Sequence, residues 1–195
     1  MDKRTQIINT ALSAFYQRGI HAVGINEILK EAGVAKKTLY NHFVSKDELI
    51  CACLELRDQR FNQWLYEQLE NCNTPFEVAD ALFSALSAWI DNKVSELGPF
   101  NGCFFINTAA EFPHSEHPIA MLCKAHKESV LQLLFDKLSH TEQLKGQLEK
   151  TIQLAQLLMT LKEGMICQAR VTHSSNTLMQ DPVLLRQLIP IVLSY

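Results

Sequence analysis

Ile25-Asn-Glu-Ile-Leu-Lys-Glu-Ala-Gly-Val-Ala-Lys-Lys-Thr-Leu-Tyr-Asn-His-Phe43 is the stretch on which the reading of this chain turns. Ile25, Ile28 and Leu29 recur at helical spacing, and Gly33 closes the segment. Gly24 is an acceptable N-cap, and Glu27 stands where a first-turn carboxylate favours the helix dipole. After Val34 and Ala35 a second short helix runs from Lys36 to about Asn41 and leads into Phe43. Ala32 is small where the two helices approach, and Val34 and Leu39 form an apolar underside. Two short helices joined at a glycine turn spell a helix-turn-helix. The same hairpin occurs in helical proteins that never touch DNA, so the outward residues must carry the functional argument.

Those residues are Lys36, Lys37, Thr38 and Asn41 on the second helix. Lysine donates to guanine O6 and N7 or to a phosphate, and asparagine pairs bidentately with adenine. Tyr40, His42 and Lys46 follow at the end of that helix and the start of the next. A phenol, an imidazole and an ammonium there suit backbone phosphates, helped by amides at a helix N-terminus.

Working outward, Ile8, Ala11, Leu12 and Phe15 make one apolar face of a helix from about Lys3 to Arg18, stopped by Gly19. Ser45 with Glu48 three residues on is a capping box opening a helix to about Glu70. Thr74-Pro75 reads as cap and first position of a helix to about Glu96. Gly98-Pro99 breaks the chain before an apolar segment from Gly102 to Phe112. Two long helices are expected at about 115–139 and 141–171, then a polar loop at 173–180 and a last helix at 182–193. No strand-like alternation bounded by hairpin turns is present, so the expected fold is all-α with about nine helices.

The chain has 195 residues, 47% apolar and 20% charged, ordinary for a globular protein. Its net charge of −3 argues against a nucleic-acid binder until it is divided. Residues 1–50 hold seven Lys/Arg against five Asp/Glu, and the rest is acidic, a mildly basic head on an acidic body. The polar start lacks the apolar core of a secretory signal, and no apolar run is long enough to span a bilayer. A cytoplasmic location follows, and with it reduced thiols for the six scattered cysteines.

The run from Ile28 to Phe43, followed by Ser45-Lys46-Asp47-Glu48-Leu49, resembles the TetR family of transcriptional regulators. The resemblance covers residues 4–50; the body agrees in length and helix pattern. The family usually has a hydroxyl residue where this chain has Ala35, and often glycine where it has Lys37. The resemblance implies a three-helix DNA-binding domain at 1–46 and a helical effector-binding and dimerisation domain at 47–195. It also implies a repressor released from a palindromic operator by a small molecule. In such a homodimer the last two helices form the interface. Here Ile152, Ala155, Leu158 and Met159, and Leu184, Leu185, Leu188, Ile191 and Val192, recur at helical spacing.

Residues expected toward an effector are Phe61, Trp64, Phe83, Trp89, Cys103, Phe104, Asn107, Glu111 and His126. Aromatics at helical spacing serve equally as plain core, and the polar members can be satisfied internally. Cys103 opens a predicted helix, where the dipole stabilises negative charge, and some TetR-like regulators sense oxidants or electrophiles through such a thiol. The spacing His114-x-x-His117 with Cys123-x-x-His126 is ligand-like, but the first pair lies in a proline-flanked loop and a metal is not expected. Cys51-x-Cys53 separates its thiols by about 200° around a helix. No cofactor is expected. Of other function classes, an enzyme with Cys103 as nucleophile lacks a recognisable base or oxyanion arrangement; an activator or architectural DNA-binding protein remains the alternative.

Overall fold

A computed structural model describes residues 2–174, 187–191 and 194. Among these the chain is all-helical: α1 (Lys3–Arg18), α2 (Ile25–Ala32), α3 (Lys36–His42), α4 (Lys46–Leu69), α5 (Pro75–Ile90), a 3-10 turn (Ser95–Leu97), α6 (Phe104–Glu111), α7 (Pro118–Ser139) and α8 (Leu148–Thr172). Residues 187–191 are also helical. The remainder of the expected last helix, with Leu184, Leu185 and Val192, lies outside the described residues, as do residues 175–180 of the expected loop.

Packing gathers the chain into two compact units. One is Met1–Gln59 with Cys103–His126, the other Arg60–Gly102 with Lys127–Tyr195. In the first unit, α1 buries Ile7, Ile8, Ala11, Leu12, Ala14, Phe15 and Tyr16, a wider stripe than the four positions expected. Asp2 caps α1, its carboxylate accepting from the Thr5 amide at 2.9 Å. In the second unit α5 packs on α8; Trp89 meets Phe61 and Trp64 edge to face at 5.7 and 6.3 Å, and Phe61 lies tilted against Trp64 at 5.4 Å.

Helix ends differ from the sequence reading where side chains or turns intervene. α5 stops at Ile90, not near Glu96, because Asn92 takes the left-handed conformation at φ 60°. The Lys93 amide then closes back on the Ala88 carbonyl at 2.8 Å, and Asn92 Oδ1 accepts from the Phe100 amide at 2.7 Å. α7 begins at Pro118, whose missing N–H suits a first helical position. α8 begins at Leu148 and not near Thr141. Successive tight turns, Leu144 N–H to Thr141 and Gln147 N–H to Leu144, occupy the intervening residues and bury Thr141 and Leu144.

All six cysteines are thiols. Burial pushes the Cys53 thiol well above its ordinary range. The stripe on α8 divides: Ala155 and Leu158 are buried, while Ile152 is 40% exposed. Among the described residues no helix is long and apolar enough to cross a membrane.

Candidate nucleic-acid interface

α2 has 8 residues and α3 has 7, each too short to persist alone, so packing must hold them. Ile28, Leu39 and Phe43 are at most 1% exposed, and Ala32 is closed off beneath them. Between the helices Gly33 sits at φ 60°, ψ 40°, left-handed, where a side chain is strained. Its N–H reaches the carbonyls of Leu29 and Lys30, and the Val34 N–H reaches Leu29 at 3.1 Å. These bonds end α2 and aim α3. From α1, the Gln6 carboxamide donates to the Ala32 carbonyl at 2.7 Å, and the Arg4 guanidinium lies 5.2 Å from the Phe43 ring centre.

With Leu39 and Phe43 turned inward, α3 presents Lys36, Lys37, Tyr40, Asn41 and His42 to solvent, with Thr38 half-buried. The Lys36 ammonium lies 5.9 Å from the Tyr40 ring centre. The face offers ammonium, amide, phenol and imidazole groups, and the described residues place no carboxylate on α3. Ala35 is the N-cap of α3 in extended backbone and gives no side-chain cap. An Ala35→Ser exchange should supply that bond and stabilise the protein by about 0.5–1 kcal/mol in urea unfolding.

α4 opens with the expected Ser45–Glu48 arrangement. Ser45 Oγ accepts from the Glu48 amide at 3.1 Å, while the Glu48 carboxylate accepts from Val44, one residue earlier than a standard capping box. Lys46 is half-buried, and its ammonium donates to the Ile20 carbonyl at 2.6 Å. Burial lowers its pKa, against the attraction of Glu111 and Asp47.

The nine residues expected toward an effector fall in both units. Phe61, Trp64, Phe83 and Trp89 are buried in the second. Phe61 also carries the Lys162 ammonium, 5.4 Å from its centre. Cys103, Phe104, Asn107, Glu111 and His126 belong to the first. There Cys103 is the buried N-cap of α6, and Phe104 meets Tyr16 edge to face at 5.9 Å. Asn107 is half-buried, its backbone N–H donating to the Cys103 carbonyl at 3.0 Å. His126 is buried, stacked on Phe105 at 3.5 Å, with Nδ1 2.6 Å from Asp58 Oδ1. The Glu111 carboxylate accepts from the amides of Ile20 and His21. Among the described residues no three metal-ligating side chains are gathered, and His117 faces Asp47 at 3.8 Å.

Two surface concavities lie in the second unit. One of about 780 Å³ is lined by residues of α4 and α7 such as Tyr66, Asp136 and Lys137. The other, of about 400 Å³, is lined by Leu131, Phe135, Ile152 and Ala155 among others. None of the nine residues lines either.

Sequence reasoning missed Glu111 and Gln6 as fasteners of the head, because their partners are backbone groups that carry no residue signature. The Arg18 pairing with Glu27 and Glu31, both at 3.0 Å, was available from the one-turn spacing of the two carboxylates on α2.

Comparison with known proteins agrees with this geometry. The sequence profile described as bacterial regulatory proteins, tetR family, matches residues 7–53. The HTH-type regulator YxaF of Bacillus subtilis is 26% identical over 191 residues, 95% of this chain and 96% of that protein. The HTH-type transcriptional repressor NemR of Escherichia coli K12 is 26% identical over 178 residues, 89% and 86% of the two chains. The crystal structure of SCO4454, a TetR-family regulator from Streptomyces coelicolor, superposes with a TM-score of 0.74 at 26% identity, covering 98% of this chain and 92% of that one. A head of three short-looped helices with a cationic, polar reading face, matched over residues 7–53 by the tetR family profile, on an all-helical chain with the fold of TetR-family regulators, makes this a DNA-binding transcriptional regulator.

Proposed function

We propose that the chain is a cytoplasmic repressor, not an enzyme, that binds a palindromic operator as a homodimer and releases it when a small molecule occupies its body. Residues 1–46 serve as the DNA-binding domain and 47–195 as the effector-binding and dimerisation domain. The observation that carries the reading is the division of α3, with Leu39 and Phe43 sealed inward and Lys36, Lys37, Tyr40, Asn41 and His42 outward. Lys37, Thr38 and Asn41 read base edges, with Lys36 beside them. Tyr40 and His42 hold phosphates, and Lys46 reaches one with the N–H groups it does not give to Ile20.

One such head contacts too little DNA for tight specific binding, so two must act together. The half-exposed Ile152 beside the groove of Leu131 and Phe135 supports α8 as part of the shared surface. The similarity to a named repressor supports the sign of regulation. An effector with an apolar body would have to open the Phe61–Trp64–Trp89 cluster, whose rings pack on one another, and Cys103 at the start of α6 extends the proposal to a thiol-reactive one. At Glu111 and His126 an effector would have to displace existing internal partners.

Operator selection from genomic fragments, followed by anisotropy titration, tests the DNA part. Asn41→Ala and Lys37→Ala should change base preference by about 1–3 kcal/mol at single positions. Lys46→Ala should weaken binding to all sequences and reduce the salt slope by about one unit. A wild-type chain that selects no sequence from the fragments defeats the reading.

A further inference from the structure

In the first unit, the corner between α1 and α2 is gripped from both sides of one peptide. The Glu111 carboxylate, on the last residue of α6, accepts from two consecutive amides, Ile20 at 2.8 Å and His21 at 2.6 Å. The same carboxylate pairs with the His21 imidazole at 2.9 Å, and that ring stacks on Phe112 at 5.0 Å. On the other side the Ile20 carbonyl takes the Lys46 ammonium at 2.6 Å. The corner residue Gly19 has φ 89°, and a Cβ built there would stand 3.3 Å from Glu111 Oε1. Any larger residue would therefore be strained in its backbone and would press on the carboxylate. Ile20 and Val23, which flank the exposed His21 and Ala22, are 1% and 0% exposed, so the gripped peptide is anchored in the head's core.

A carboxylate spanning two backbone amides is a charge-assisted, directional contact between segments about ninety residues apart in sequence. It fixes where α1 hands over to α2, and α2 with Gly33 fixes α3. We infer that Glu111 is a positioning residue for operator recognition: it sets the α1–α2 corner, and through it the presentation of α3, without touching DNA. This rests on the helix-turn-helix being the operator reader.

The test uses the full-length protein and an operator fragment selected by the wild type. Glu111→Ala should weaken operator binding about tenfold or more. Binding to non-specific DNA should stay within about twofold, since no cation of the reading face is altered. Hydrogen exchange at the Ile20 and His21 amides should accelerate at least about tenfold. Glu111→Gln keeps one accepting oxygen, so it should hold one of the two amides and fall between wild type and alanine. His21→Ala leaves both amide bonds and should bind within about twofold of wild type.

If Glu111→Ala does not fold, the glutamine variant decides: operator affinity equal to wild type, with either amide exchanging faster, overturns the inference. Equal loss on operator and non-specific DNA overturns it too, because that is general damage to the head. A wild type that selects no operator would instead defeat the functional reading, and the exchange result would still report whether the grip exists.

Discussion

Replacing Phe43 by alanine is expected to destabilise the protein by about 3–5 kcal/mol and to abolish operator binding at physiological salt. Phe43 is the residue at which α3 ends, its ring 1% exposed and its amide closing the last turn on Leu39 at 2.9 Å. It is also the ring over which Arg4 of α1 lies. Truncation leaves a cavity directly beneath a seven-residue helix that has no side-chain cap at its other end. Leu39 is then the one buried side chain left to hold α3, so the loss falls on the reading face. Urea unfolding followed by circular dichroism gives the first number, and anisotropy on the operator gives the second. A variant that unfolds within about 1 kcal/mol of wild type would show that α3 rests on Leu39 alone.

A second large effect should come from Glu163. Its carboxylate receives the Lys127 ammonium at 2.8 Å and the Lys162 ammonium at 2.5 Å, and Lys162 is only 1% exposed. Burial works to raise the Glu163 pKa, but the two ammoniums outweigh it and hold the carboxyl below its ordinary value. Glu163→Ala should destabilise by about 3 kcal/mol, since it removes an acceptor shared by two cations. Lys162→Met, which replaces the buried charge by an apolar chain of similar volume, should be nearly neutral. The pH dependence follows from the sign of the shift. A carboxyl whose folded pKa is depressed contributes its full stability above the unfolded value, here near 4.5, and loses it as pH falls through the folded value. The gap between wild type and Glu163→Gln should therefore be widest near neutral pH and narrow below about pH 4.5. Denaturant titrations across that range would show it, and a gap that does not change with pH would refute the pairing.

The sequence carried the head almost completely. Apolar periodicity gave α1 and α2, Gly33 gave the turn, and Ser45 with Glu48 marked the start of α4. These signals are local: each residue acts on its own helix or the next one. What escaped is long-range or depends on a single backbone angle. The stop at Ile90 turns on Asn92 adopting a left-handed conformation that asparagine only sometimes takes. Glu111 reads as a polar residue on an apolar segment, and only folding brings it to amides on the far side of the sequence. Lys162 reads as one more surface lysine, and its burial beside Phe61 has no periodic signature. On α8, Ile152 and Leu158 share one sequence pattern, yet Leu158 is buried and Ile152 is 40% exposed, because a helix stripe shows which residues share a face but not what covers it.

The division of labour on α3 has a consequence for how this protein can change over evolutionary time. Leu39 and Phe43 carry the fold, while Lys36, Lys37, Tyr40 and Asn41 lie on the outer face with no core to fill. Substitutions among the outer four are therefore nearly free in stability, and a duplicated copy could drift to a new operator without first passing through an unfolded ancestor. The inner pair offers no such freedom. A lineage descended from this chain should keep its scaffold while its target sequence wanders.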